Sequence, residues 1–321
     1  MRYRSGRSCV QSLFVFVLVG LVAVSYLPPG VHHVKAASRG HQPAGDYLRP
    51  LTVNGLRRFY LLHIPSSLAP GTPAAVILAF HPGFATAQGF AENTGLSIRA
   101  GRAGFVVVYP QGYGRSWNAG DCCGPAVRQG IDDVVFVQAV LADLASVIQV
   151  DAQRIFATGF SNGAKMAYRL ACELSERIAA IAAVGAAMSM SDSACRPTQP
   201  MPVLHIHGMA DRWGPFHGGP SSHKPAGEQR SIPETIRFWL RRNGCTAATR
   251  STYRRSAAMC TAHSECQEDT QVALCTIEVM GHQWPGGRVV FPRIFGPGTT
   301  DISATDMIVE FFLSHPMPKR E

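Results

Sequence analysis

Ser161 stands in Gly159-Phe-Ser161-Asn-Gly163, and two residues further along the chain have the types needed to activate its hydroxyl. A serine hydroxyl is a weak nucleophile near neutral pH, so it needs a base, and the base needs an acid that orients it. Asp211 lies in His207-Gly-Met-Ala-Asp211 and His282 in Gly281-His-Gln-Trp-Pro-Gly286, giving the order nucleophile, acid, base along the chain. Among the twelve histidines, His205 and His207 fall in or at the end of an apolar run and read as structural, while His217 and His223 are the next candidates for the base. Asp192, Asp269 and Asp301 are the rival acids. An acyl-transfer site also needs backbone donors for the developing oxyanion. The amide of Asn162 is one candidate. The second must come from His81-Pro82-Gly83-Phe84; proline has no N–H, which leaves Gly83 or Phe84.

The elements around these residues set their positions. Arg154 to Phe160 has strand character, and Ala164 to Leu174 carries apolar residues at helical spacing, so the serine sits on a strand–turn–helix connection. A helix N-terminus favours negative charge, which suits an oxyanion at that turn. Tyr47 to Ile64 reads as a hairpin turning at Asn54-Gly55. Strands are expected at Ala74–Phe80, Phe105–Tyr109, Ile178–Val184, Val203–Gly208 and Val272–Val279. Helices are expected at Glu92–Ala103, from Asp132 to about Ile148, and at Ala304–Leu313. Alternation of this kind indicates an α/β fold, a doubly wound and mostly parallel sheet with helices on both faces. Ligands of such sheets sit beyond the carboxyl ends of the strands, where Ser161, Gly83 and Asp211 all fall. Asp132-Asp133 opens a helix and is explained by the helix dipole without a cation.

The chain has 321 residues, 46% apolar and 16% charged, the profile of a globular protein. Residues 1–36 read as a signal peptide: Arg2, Arg4 and Arg7 precede an apolar run from Leu13 to Leu27, and Val34-Lys-Ala36 is a small-residue cleavage site. The run is about fifteen residues, shorter than the roughly twenty of a membrane span, and an uncleaved anchor is the alternative. Residues 37–46 form a short extension and residues 47–321 a single catalytic domain. Losing the four basic residues of the signal segment brings the formal charge from +9 to +5. That mild excess, with no basic run, gives no sign of a nucleic-acid partner or a stable membrane partner, and the oligomeric state stays open. No nucleotide-binding glycine motif is present, and no cofactor is implied. After Cys9, eight cysteines remain, an even number that fits disulfides in an extracellular or periplasmic setting. Cys172 with Cys195 is a reasonable pair, and Cys245, Cys260, Cys266 and Cys275 can close two loops among themselves. Cys122-Cys123 is harder to place, because adjacent Cα atoms lie about 3.8 Å apart, below the usual disulfide range. A zinc site from Cys260, His263 and Cys266 is the competing reading.

Between Tyr47 and Pro316 the chain resembles secreted esterases of the poly(3-hydroxybutyrate) depolymerase and feruloyl or acetyl-xylan esterase group, placed with carbohydrate esterase family 1. The motifs carrying the resemblance are Tyr109-Pro-Gln-Gly, Trp117-Asn-Ala-Gly with Cys122-Cys-Gly, Asp132-Asp-Val, Gly159-Phe-Ser-Asn-Gly-Ala, His207-Gly-Met-Ala-Asp and Gly281-His-Gln-Trp-Pro-Gly. The resemblance implies an α/β-hydrolase fold, a secreted serine esterase with Ser161, Asp211 and His282 as its triad, and no metal. His81-Pro82-Gly83 departs from the family's usual His-Gly pair. The implied substrates are polymeric or small esters: hydroxyalkanoate polyester, or aryl and acetyl esters of plant polysaccharide. An acyltransferase on the same triad, or a non-catalytic binding protein with this fold, are the alternatives. Trp117 and Trp284 lie in loops expected around the site, where exposed indoles would stack on a sugar ring, a ferulate ring or a polyester surface. The opposing expectation is that each packs beneath its own loop.

Overall fold

Seven consecutive apolar residues, Ala74–Phe80, form a strand buried along its whole length. Side chains alternate across a strand. Val76, Leu78 and Phe80 therefore enter the core on one side of the sheet, and Ala75, Ile77 and Ala79 the core on the other. A strand apolar on both faces belongs in the middle of a sheet covered by helices on both sides.

The computed structural model describes residues 31–33, 42–223 and 227–318, and His32–Glu321 forms one compact unit. Ten strands of this unit form its sheet: β1 (Gly45–Val53), β2 (Leu56–Ile64), β3 (Ala74–Phe80), β4 (Phe105–Pro110), β5 (Val150–Phe160), β6 (Ala180–Val184), β7 (Val203–Gly208), β8 (Arg250–Arg255), β9 (Ala258–His263) and β10 (Val272–Ile277). Their spatial order is β1-β2-β4-β3-β5-β6-β7-β10-β9-β8. The pairs from β4 through β3, β5, β6 and β7 to β10 are parallel. Antiparallel pairs extend both ends. The opening hairpin turns where the sequence places it, with Val53 opposite Leu56.

Six helices cover the faces: α1 (Ala87–Thr94), α2 (Leu96–Arg102), α3 (Asp133–Val147), α4 (Asn162–Glu173), α5 (Ile232–Arg242) and α6 (Ala304–Leu313). Phe136 of α3, Met166 of α4 and Ile236 of α5 enter one core. Phe90 of α1, Leu96 of α2 and Phe312 of α6 enter the other. The helix expected over Glu92–Ala103 is instead two helices, because Gly95 takes a left-handed φ of 60° and ends α1. Helix α5 and the antiparallel pair β8–β9 have no counterpart in the sequence reading. The signal for α5 was present: Ser231 and Glu234 form a reciprocal capping box ahead of it.

Cys172 pairs with Cys195, Cys245 with Cys266, and Cys260 with Cys275, closing loops with sequence separations of 23, 21 and 15. Loops of that length make each bridge worth about 3 kcal/mol in the chain-entropy account. Cys260 and Cys275 face each other across β9 and β10. Both cysteines of the rival zinc set are thus held in disulfides, which overturns that reading. Cys122 and Cys123 are also joined to each other. The segment read as a signal peptide lies outside the described residues except at 31–33. Among the described residues, no helix is long and apolar enough to cross a membrane.

Candidate active site

Strands β3, β5, β6, β7 and β10 run in parallel, so their carboxyl ends share one rim. The loops after β3, β5, β7 and β10 carry Gly83, Ser161, Asp211 and His282 respectively. At the turn after β5 the backbone is crowded: a Cβ at Gly159 would strike the carbonyl of Gly163, and a Cβ at Gly163 would strike the carbonyl of Phe80. Only glycine fits either position. Ser161 between them adopts φ 55° and ψ −120° at the N-cap of α4. Its amide is fixed by donation to the Val184 carbonyl at 2.9 Å. A non-glycine residue at positive φ carries strain that the surroundings must hold, here to expose the hydroxyl.

His282 Nε2 lies 2.8 Å from Ser161 Oγ, and His282 Nδ1 lies 2.6 Å from Asp211 Oδ2. The other Asp211 oxygen accepts the amides of Trp213 and Gly214, both at 2.8 Å. Burial alone would raise the Asp211 carboxyl. Charge and hydrogen bonding from His282, together with His207 and the Gly214 amide, outweigh it and hold the pKa below the ordinary carboxylate value. Asp211 is therefore an anion set to accept the Nδ1 proton, which leaves Nε2 free to receive the serine proton. The rival residues stand elsewhere: His223 stacks on Trp213 at 4.8 Å, His217 is exposed, and Asp192 pairs with Arg230 and Arg241.

The two candidates for the second oxyanion donor separate cleanly. The Phe84 amide donates to the Arg115 carbonyl at 2.9 Å and is committed. That removes Phe84 from the donor set. The Gly83 amide has no acceptor among the described residues, and a Cβ on Gly83 would sit 3.8 Å from Asn162 Cβ. Asn162 is the first residue of α4, so its amide is one of those a helix leaves unpaired. The Asn162 side chain works as a brace: its Oδ1 accepts the Trp117 amide at 2.7 Å and its Nδ2 donates to the Trp117 carbonyl at 3.1 Å. Behind this loop, His81 is buried; its Nδ1 faces the Pro82 carbonyl and its Nε2 accepts the Gly112 amide.

Neither tryptophan presents a face to substrate. Trp117 is fully buried, donates Nε1–H to the His81 carbonyl at 2.9 Å, and packs edge-on against Phe80. Trp284 is buried, donates to Thr305 Oγ1 and packs against Phe90. Both expectations of an exposed stacking ring are corrected: each indole lies beneath its loop with its N–H satisfied. The pair Asp132-Asp133 also divides. Asp132 caps α3, as the dipole argument expects, but Asp133 is buried against Arg58 at 2.8 Å and accepts the Asn118 amide.

Residues 128–223 match the family model of FrsA-like esterases. NocK of Nocardia uniformis subsp. tsuyamanensis, a protein named as an esterase, is 31% identical over 283 residues, covering 83% of this chain and 82% of NocK. The chain belongs to this esterase family. Feruloyl esterase B of Piromyces equi is 29% identical over 245 residues, and the match spans 72% of this chain but 44% of that protein. Among solved structures, the acetyl xylan esterase of Aspergillus awamori aligns with a TM-score of 0.54 at 16% identity, over 83% of this chain and 98% of its own, a likeness that establishes the α/β-hydrolase fold.

Beside His282 in this esterase runs a row of rings, of which the sequence points to His223 and Phe84 in other roles and to Trp213 and Phe295 not at all. Trp213 lies nearly parallel to His282 at 6.0 Å, Phe295 is 4.8 Å from Trp213, and His223 stacks on the same indole at 4.8 Å. Phe84 extends the row, 5.6 Å from His223 and 68% exposed. The available signal was position: Trp213 follows Asp211 by two residues, and Phe295 follows the His282 loop.

Proposed function

We propose that the protein is a secreted serine esterase that hydrolyses carboxylic esters through an acyl-enzyme, with Ser161 as nucleophile, His282 as base and Asp211 as orienting acid. The observation that carries this reading is the continuous hydrogen-bonded series from Asp211 through His282 to a serine held at positive φ. Ser161 Oγ attacks the ester carbonyl while His282 Nε2 takes its proton. The resulting oxyanion is held by the amides of Asn162 and Gly83. Collapse expels the alcohol, which takes the proton back from His282 and leaves Ser161 acylated. Water then attacks the acyl-enzyme with His282 again as base, and the acid departs.

For the acyl group, the row formed by Phe84, His223, Trp213 and Phe295 favours a planar aromatic acid such as a ferulate over an aliphatic hydroxyacid of a polyester. Aromatic rings prefer such offset or edge contacts. A relative named feruloyl esterase points the same way. Secretion is supported by the basic and apolar N-terminal sequence and by the cysteine pairs.

The deciding experiment compares methyl ferulate, poly(3-hydroxybutyrate) and p-nitrophenyl acetate with the purified chain and its Ser161→Ala variant. Ferulate release that disappears in the variant is the expected result. Release of hydroxybutyrate in place of ferulate would replace the aryl reading with the polyester one. Turnover that survives loss of Ser161 would defeat the proposed mechanism.

A further inference from the structure

A second series of hydrogen bonds reaches the acid from behind. Tyr168 Oη lies 2.7 Å from His205 Nδ1, His205 Nε2 lies 3.0 Å from His207 Nδ1, and His207 Nε2 lies 2.7 Å from the Gly214 carbonyl. All three side chains are buried without exposure. His207 Nε2 is also 3.7 Å from Asp211 Oδ2, the oxygen that faces His282.

The direction of every proton in this series follows from its last member. A carbonyl oxygen only accepts, so His207 Nε2 carries the hydrogen. A neutral imidazole has one N–H, so His207 Nδ1 is an acceptor and His205 Nε2 must donate to it. His205 Nδ1 is then an acceptor, and Tyr168 must donate its hydroxyl proton. Each group is satisfied once and none is left over. Burial lowers both imidazoles below their ordinary values and raises the Tyr168 phenol, which keeps all three neutral. An added proton would set donor against donor.

The series connects two parts of the triad. Tyr168 lies on α4, two turns beyond Ser161, and Gly214 lies in the turn that carries Asp211. Gly214 is gripped at both ends: its amide donates to Asp211 Oδ1 and its carbonyl accepts from His207. We propose that His207, oriented by His205 and Tyr168, is a positioning residue that fixes the Asp211 carboxylate relative to the helix bearing Ser161. The inference rests on the triad reading above, because it is through Asp211 and His282 that His207 acts.

The test uses His207→Phe, His207→Gln and Tyr168→Phe in the full chain, with p-nitrophenyl acetate and kcat/KM followed across pH. His207→Phe keeps a ring and removes both nitrogens; kcat should fall about tenfold to a hundredfold with KM little changed, the scale of small misplacements at a reacting centre. The acid limb of the profile should move to lower pH, because a loosely held Asp211 stabilises the charged imidazole less. His207→Gln keeps an amide N–H near the Nε2 position and should recover most of the turnover. Tyr168→Phe removes one oxygen and should give a smaller loss in the same direction. Wild-type kcat and an unmoved acid limb in folded His207→Phe would overturn the proposal. If that variant does not fold, Tyr168→Phe decides: lowered kcat supports positioning, and a change in thermal stability alone overturns it. Turnover surviving in Ser161→Ala would remove the triad and this inference together, whereas serine-dependent turnover indifferent to His207 and Tyr168 would remove only the inference.

Discussion

His282 and the histidines of the neighbouring strand ends occupy the same rim of the same sheet, yet they hold protons in opposite ways. His81, His205 and His207 each have a carbonyl, amide or hydroxyl that dictates which nitrogen is protonated, and burial keeps them neutral. His282 instead has an anion on Nδ1 and a hydroxyl on Nε2 that gives and takes a proton. A histidine locked into a closed donor-to-acceptor series is a strut. One placed between a carboxylate and a serine hydroxyl has the partners a base needs. The difference lies in the partners and not in depth, since His282 is itself 6% exposed.

The sharpest way to break that contrast is Asp211→Asn. The new amide would donate toward His282 Nδ1 and push the proton to Nε2, facing Ser161 and turning the base into another strut. A loss of about 10⁴ in kcat is expected, with folding retained by circular dichroism; near-normal turnover would mean that Asp211 does not orient the base. Next in size is Gly83→Pro, which deletes the amide proposed as second oxyanion donor and should lower kcat by roughly a hundredfold to a thousandfold. A matched loss in Gly83→Ala, which keeps the amide and adds a Cβ at an ordinary 3.8 Å from Asn162 Cβ, would point to loop disruption and not to a missing donor.

The struts themselves predict a pH dependence of stability. Burial lowers His81 to about 4 from an ordinary 6.5. Between those values the unfolded chain binds more protons than the folded one, so stability is full above pH 6.5 and falls as the pH drops toward 4. His81 alone accounts for on the order of 3 kcal/mol across that window, with His205 and His207 adding to it in the same direction. Urea unfolding at pH 7 and pH 4.5 measures this, and equal midpoints would refute it. The smallest effect concerns the row of rings beside His282: Trp213→Ala should raise KM for methyl ferulate by about tenfold and leave that for p-nitrophenyl acetate nearly unchanged. An equal rise for both esters would count against an aryl subsite.

Much of this arrangement was legible in the chain. Apolar runs ending at Phe80, Phe160 and Gly208 fixed the strand ends, and reading the residues just beyond them located Gly83, Ser161 and Asp211 on one rim. Local sequence could not say which way a side chain faces. Trp117 and Trp284 sit in polar, glycine-rich loops that allow either an exposed or a buried ring, and the partners that decide it, the His81 carbonyl and Thr305, are distant in sequence. The same limit hid the choice between Gly83 and Phe84, which depends on a bond to Arg115. Asp133 looked like a helix-dipole residue because its counter-charge, Arg58, lies 75 positions away. The His205–His207 pair is buried in β7, as its apolar run implies, but its reach to Asp211 runs through Gly214, which no local pattern marks.

The outermost of the ten strands, β8, carries Arg250, Arg254 and Arg255, all exposed, and lies beyond the disulfide that ties β9 to β10. An open strand edge is a template on which another chain can pair and begin to aggregate. Two copies meeting along β8 would bring like charges face to face, so this edge works against self-association of the sheet.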